Sequence, residues 1–376
     1  MTRADTPPTR DRLAPPLLLG VLIVFALLSA ATLQLLKLQA AGVDFAGLWA
    51  GGKAAITDPG RIYDFRYVSQ LQGWPLGPDR LRPYVYPPSA LLLFTPFALA
   101  PWSVSYALWT ALTGGFFWWA GVRAGAPKWF VLVPWVAFAA FCGQATFLLG
   151  GLVMSALALD EERPIVAGVL FGLAAAVKPQ LLMLLPLALM AQGRWRTILA
   201  TGATGLALCA LSAALWGLAP WFEWLGALPR FEHLVSHARL LVANSITPYA
   251  ALVYWRESGA WALLLAPAAA AWVWFTFRRS ADMAERIIAL FGGAFLISPY
   301  AMNYELALFA PATAIYLART RDRAWPGYVA AAIGQAVVLH PAFLSLAMTL
   351  SPPFLRRLPG LLRRAAGHEA SLIPNP

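Results

Sequence analysis

Residues 17–36 read LLLGVLIVFALLSAATLQLL, and a few residues on the chain continues Gly42-Val43-Asp44-Phe45-Ala46-Gly47-Leu48-Trp49. The first stretch is long and apolar enough to cross the hydrocarbon core of a bilayer as a helix, which takes about 20 residues. It lacks the two-residue alternation of a membrane strand, so the fold it announces is helical. Arg3, Arg10 and Arg12 precede it. That arrangement resembles a signal peptide, but the apolar core is too long and no clean Ala-x-Ala site follows, so an uncleaved first helix is expected.

The same character holds along the chain. Of 376 residues, 60% are hydrophobic and 12% charged, with a mean hydropathy of +0.64. Soluble domains are nearer half apolar and a quarter charged. The expectation is an all-α polytopic integral membrane protein with about 10–12 spanning or partly spanning helices. Apolar segments fall near 17–37, 102–122, 129–142, 145–159, 164–177, 180–191, 197–217, 259–277, 284–298, 303–318, 325–339 and 341–354. Several are short, as in half-helices that stop at a protein-lined cavity.

The net charge of +11 does not point to nucleic acid. Arg123, Arg163, Arg194, Arg196, Arg278, Arg279 and Arg319 sit in short connections between apolar runs, the pattern of positive-inside topology. Both termini are expected in the cytoplasm, with tails at 1–13 and 355–376. The whole chain, 1–376, reads as one transmembrane domain with two exoplasmic loop regions, 42–101 and 218–258, facing the periplasm if the membrane is a bacterial inner membrane. Residues 45–56 read as an interfacial helix with Phe45, Leu48, Trp49 and Ile56 towards lipid. Residues 89–100 read as a second short helix after Pro87-Pro88. The acidic run Asp160-Glu161-Glu162 reads as a solvated cytoplasmic turn. Cys142 and Cys209 both lie in apolar segments and give no disulfide framework.

A carboxylate at the rim of a membrane helix is costly to keep, so Asp44 is the first candidate for chemistry. Two readings stay open: a general base, or the cap of the short helix that follows. Lys178-Pro179-Gln180 places a cation between two short apolar segments, as a counter-charge for a lipid phosphate or as a snorkelling lysine. Gly143-Gln144 offers an amide for sugar hydroxyls, or is an ordinary turn. Ser298-Pro299-Tyr300 breaks a helix, and Asn303-Tyr304-Glu305 starts the next; these residues can bind sugar or phosphate, while Glu305 can also complement a helix dipole. Tyr86 and Asn244 sit in the two loop regions as further substrate-binding candidates. His233 and His237 share a helix face, but no third metal ligand is evident. Asp-x-Asp, phosphate-loop and Gly-x-Gly-x-x-Gly motifs are absent from the sequence, so no nucleotide-sugar site, cofactor or metal is expected.

Taken together, Asp44-Phe45-x3-Trp49-x-Gly51-Gly52, Tyr63-Asp64, Tyr86-Pro87-Pro88, Leu108-Trp109, Gly143-Gln144, Lys178-Pro179 and Ser298-Pro299-Tyr300 resemble glycosyltransferase family 87, within the C-type membrane superfamily. The resemblance covers about residues 42–318. It implies a polyprenyl-phosphate-linked sugar donor, a glycan or glycolipid acceptor, Asp44 as catalytic aspartate and Lys178 at the donor phosphate. Asn303-Tyr304-Glu305 departs from the residues other members carry there, which leaves donor and acceptor identity open. The expected reaction is an inverting hexosyl transfer, with mannose the best guess. The alternatives are a lipid-carrier flippase, a lipid-linked oligosaccharide ligase and a non-catalytic scaffold.

Overall fold

The structure, a computed structural model, describes residues 41–73 and 81–320. The expected spans at 17–37, 325–339 and 341–354, and both tails, lie outside the described residues. Helices dominate the described residues. The extended pairing among the described residues is an isolated bridge between Ser245 and Met302.

The chain runs through α1 (Val43–Thr57), α2 (Phe65–Leu71), α3 (Pro88–Phe97), α4 (Trp102–Arg123), α5 (Pro134–Cys142), α6 (Thr146–Leu159), α7 (Pro164–Val177) and α8 (Leu185–Ala191). It continues with α9 (Trp195–Trp216), α10 (Ala219–His237), α11 (Arg239–Asn244), α12 (Pro248–Tyr254), α13 (Ala266–Arg279), α14 (Met283–Ile297) and α15 (Ala310–Thr320). The boundaries follow local chemistry. Asp64 caps α2 by accepting from the N–H groups of Arg66 and Tyr67, each at 3.0 Å. Asp282 caps α14, and Thr247 caps α12. Proline opens α3, α5 and α7, where its missing N–H costs nothing. Four expected spans divide at their N-terminal ends: Lys128–Leu132, Pro179–Leu182, Gly259–Leu265 and Asn303–Phe309 are 3-10 turns leading into α5, α8, α13 and α15.

Among the described residues, two stretches are long and apolar enough to cross a membrane: Trp195–Trp216, and Gly259–Arg279, which combines a 3-10 turn with α13. The pair α3 and α4 qualifies as a third, bent by 112° at its break. Leu199, Leu206 and Leu215 on α9, and Leu108 and Leu112 on α4, are exposed. In a chain of this composition they face lipid rather than water. Helices α7 and α9 cross closely. Cβ atoms on Gly168 and Gly172 would come within 2.4 Å of Ala200 Cβ and 2.5 Å of Thr204 Cβ. Association of this kind in hydrocarbon rests on close packing of small residues, because there is no water to expel.

Three expectations fail. Helix α1 forms where expected, but Phe45 and Leu48 do not face lipid: they are 1% and 2% exposed and pack inside the protein against Trp109, Phe94 and Tyr84. The apolar residues of α1 face its protein neighbours α3 and α4, and Gly52 within α1 lets the backbone of Phe94 on α3 come close. Residues 218–258 are not a loop but the helices α10, α11 and α12. Asp160 is not solvated: it is 3% exposed, accepts from the Thr197 hydroxyl and pairs with Arg194 at 3.2 Å, tying the α6–α7 turn to the start of α9.

The α7–α9 contact makes a stability test. Gly172→Val pushes a branched side chain into Thr204 and the Thr201 carbonyl, 2.9 Å from the added Cβ, and should cost about 1–3 kcal/mol. Gly205, on the same helix pair but with nothing within 4 Å, should accept alanine with a small gain. Thermal unfolding of both variants in nanodiscs checks this; equal midpoints would show that the helices do not meet there.

Candidate active site

Asp44 is the second residue of α1 and lines a cavity of about 1380 Å³. It does not cap the helix: Gly42 does, in the left-handed region at φ +69°, and no side chain bonds the helix start. The Gly42 N–H donates to the Phe141 carbonyl at 2.7 Å, so the start of α1 docks on the end of α5. A Cβ at Gly42 would come within 2.7 Å of Trp102. Gly143, left-handed at φ +72°, closes α5, and its Cβ would come within 2.8 Å of Phe45 Cβ. The Tyr106 hydroxyl lies 2.8 Å from the Ala140 carbonyl and 3.1 Å from that of Phe141, and donates to them. Only glycine fits at either crossing point, and together they fix where Asp44 points.

The Asp44 carboxylate is half-buried, and the Cys142 thiol beneath it is fully buried and hydrogen-bonded to it. Burial pushes the acid up to about 6. The Cys142 bond and the charges of Lys178 and Arg82 hold it back from rising further. At neutral pH it is largely ionised and more basic than an ordinary aspartate.

Lys178 lines the same cavity, at the end of α7. It forms an ion pair with Glu305, with side chains 5% and 3% exposed, across 127 residues of sequence. Its ammonium lies 5.5 Å from the Tyr86 ring centre and 5.4 Å from that of Tyr304. Glu305 does not line the cavity; it stands behind Lys178, with Oε2 buried and without a hydrogen-bond partner. Burial also pushes the Tyr86 phenol up to about 12, so it remains a donor, and it donates to Gln144 Oε1. The Asn303 amide donates to Asn244 Oδ1 at 3.1 Å. Beside them Ile246 N–H and the Ser245 hydroxyl both donate to the Ala301 carbonyl at 2.8 Å, which secures the broken segment 298–303 to the start of α12.

Of the residues singled out from the sequence, Asp44, Tyr86, Gln144, Lys178, Asn244, Tyr300 and Asn303 therefore meet at one cavity. Other motif residues turn out to build its walls. Gly51 lies against Tyr84, where a Cβ would be 2.2 Å from the ring, and Gly52 lies against the backbone of Phe94. Trp49 Nε1 donates to the Ala100 carbonyl at 3.0 Å, and the Tyr63 hydroxyl donates to that of Tyr86 at 2.8 Å. Asp64 serves α2 and the Arg61 ion pair. His233 and His237 lie on the exposed side of α10 with ring centres 4.0 Å apart and planes tilted by 38°. Among the described residues no group of three or more His, Cys, Asp and Glu is placed to hold a metal. Sequence reasoning missed Arg82, Cys142, Glu232 and Trp224. None carries a local signal, since each reaches the site through packing of distant segments.

The chain also matches known proteins. The model of glycosyltransferase family 87 matches residues 84–299, more than half of the chain. The chain belongs to glycosyltransferase family 87. Tyr86, Gln144, Lys178, Asn244 and the Ser298-Pro299 break fall inside the matched stretch, while Asp44 lies ahead of it. A polyprenol-phosphate-mannose-dependent alpha-(1-2)-phosphatidylinositol pentamannoside mannosyltransferase of Mycobacterium tuberculosis is 31% identical over 113 residues, which is 30% of this chain and 23% of that protein. The protein of the same description from Mycolicibacterium smegmatis is 35% identical over 101 residues, 26% of this chain and 22% of its own. This family 87 chain is thus matched over less than a quarter of the length of either relative. No solved structure matches it.

The ion pair at the centre of this family 87 site has a direct test. Lys178→Met leaves the Glu305 charge buried and alone, which should cost about 3–5 kcal/mol. Lys178→Met with Glu305→Leu removes both charges and should recover most of that loss. Unfolding midpoints of wild type, single and double variants measure the difference; a single variant as stable as wild type would mean the pair is not buried.

Proposed function

We propose that the protein transfers a hexosyl group, mannose being the best guess, from a polyprenyl-monophosphate donor to a hydroxyl of a glycan or glycolipid acceptor. The observation that carries this reading is the single half-buried carboxylate of Asp44, facing a large cavity beside a buried lysine and an array of phenols and amides. Family membership and the description of the mycobacterial relatives support the donor class.

In the proposed step the acceptor oxygen forms a bond to the anomeric carbon while the bond to the phosphate oxygen breaks. Asp44 takes the acceptor proton, and the electron pair leaves with the lipid phosphate. One displacement inverts the anomeric centre. A phosphate leaves without a general acid, so one carboxylate suffices where glycosidases use two. Lys178 turns N–H donors to the phosphate as charge grows on it. Tyr86, Gln144, Asn244, Tyr300 and Asn303 bind sugar hydroxyls, with Gln144 oriented by Tyr86. Glu305 acts through Lys178. The arginine pattern supports a membrane protein with both termini cytoplasmic and the cavity on the exoplasmic side.

Purified protein in nanodiscs, given radiolabelled polyprenyl-phosphate mannose and a membrane-lipid extract, should form labelled product. Asp44→Asn should lower turnover by about 10²-fold or more while keeping or raising the melting midpoint at neutral pH, since it removes the base, little volume and a charge that burial disfavours. The rate of wild type should fall tenfold per pH unit below about 6 and level off above it, because protonated Asp44 cannot accept a proton. Equal product from Asp44→Asn and wild type would remove Asp44 from catalysis. Labelled lipid that crosses the bilayer of sealed liposomes unchanged would instead favour a flippase.

A further inference from the structure

Asp44 and Gln144 face the same cavity, and each follows a left-handed glycine: Gly42 stands two residues before the acid and Gly143 one residue before the amide. One side chain is wedged against both glycines. A Cβ on Gly42 would come within 3.0 Å of the Tyr106 ring, and one on Gly143 within 2.7 Å of it. Tyr106 itself stands outside the cavity wall, near the start of α4. We propose that Tyr106 is a positioning residue for Asp44, keeping the acid in its reactive place by locking the end of α5 to the start of α1; this rests on the reading of Asp44 as the general base.

The lock acts through backbone. The phenol oxygen lies 2.8 Å from the Ala140 carbonyl and 3.1 Å from that of Phe141, so its proton serves two acceptors that the end of a helix leaves open. The Phe141 carbonyl also accepts from the Gly42 N–H at 2.7 Å, which makes it the point where α1, α5 and the phenol meet. The ring stacks on Trp102, with centres 5.6 Å apart and planes 9° apart, and leans on Phe45, the residue after Asp44, at 5.9 Å. Cys142 is the last residue of α5, and its thiol hydrogen-bonds the Asp44 carboxylate. The hydroxyl of Tyr106 therefore holds the turn that carries the thiol, and the thiol meets the acid. Phenylalanine would fill the space between the two glycines equally well; the hydroxyl is what ties the carbonyls.

The other groups acting on Asp44 are Lys178 at the end of α7, Arg82 ahead of α3, Glu305 in the turn before α15, and the phenols Tyr86, Tyr300 and Tyr304. All of them keep their side chains in Tyr106→Phe, so a change in how Asp44 titrates reports the turn. The thiol bond favours the ionised acid, and loosening it moves the titration up from about 6.

The test uses the full chain in nanodiscs. Infrared titration follows the protonated-carboxyl band that Asp44→Asn removes, and turnover is measured with polyprenyl-phosphate mannose and a membrane-lipid extract. In Tyr106→Phe the midpoint of that band should rise by about 0.5 to 1 in pH, the effect of one weakened hydrogen bond. Its kcat should fall by about 10- to 100-fold with KM for the donor within about twofold, because a misplaced base costs turnover and not binding. Gln144 keeps its own hold from Tyr86. A Tyr106→Phe variant that melts earlier but keeps the wild-type midpoint and kcat per folded molecule overturns the proposal, since the tyrosine then serves stability alone. Should Tyr106→Phe fail to fold, the thiol decides: a rise in Cys142→Ala and a smaller one in Cys142→Ser, which restores a donor, support the lock, and no rise in either overturns it. Wild-type turnover in Asp44→Asn overturns the base reading, and the catalytic part of this proposal with it, whatever the infrared midpoint of Tyr106→Phe.

Discussion

An ammonium and a carboxylate buried together in a membrane protein can only be kept if the chain brings them to within bonding distance, and Lys178 and Glu305 impose that condition here. Lys178 ends α7, and Glu305 lies in the 3-10 turn before α15. Their pairing sets the depth at which the two segments meet. It also explains why both helices stop short of a full span. Each ends where a polar group must be matched by protein rather than by lipid, and irregular backbone is tolerated at that depth only against protein or a water-filled cavity.

The cavity follows from those stops. Breaks at Lys178-Pro179 and at 298–302 leave backbone groups that are answered by neighbours, as at Ala301, whose carbonyl accepts from Ser245 and Ile246. Helices α10 to α12 lie across the opening, with Trp224 Nε1 donating to the Val85 carbonyl at 3.1 Å. The wall contributed by these helices is largely apolar, including Leu225, Leu228, Val235 and Val253, whereas the inner wall carries Asp44, Gln144 and Lys178. On the function proposed above, a lipid-linked substrate would need both characters in one space.

Asp44 owes its position to a backbone constraint rather than to a partner side chain. Two left-handed glycines, Gly42 and Gly143, let the start of α1 meet the end of α5 without Cβ atoms between them. The carboxylate then lies over Cys142 and opens on the cavity, basic enough to take a proton and ionised enough to be ready for it.

Hydropathy and arginine placement alone determined that the chain is helical and belongs in a membrane. The apolar runs also located α4, α6, α7, α9 and α14 to within a few residues, because hydrocarbon accepts little else. Polar residues stranded beside those runs marked several of those that line the cavity, since a polar group is costly to keep in such surroundings. Tertiary structure decided the rest. It turned the apolar face of α1 inward, made helices of residues 219–254, and buried Asp160 against Arg194. It also answered Lys178 with Glu305 and brought Arg82 and Cys142 to Asp44. Sequence periodicity tells which face of a helix is apolar but not whether lipid or protein will cover it, and a charge in the chain does not name the partner that long-range packing will set beside it.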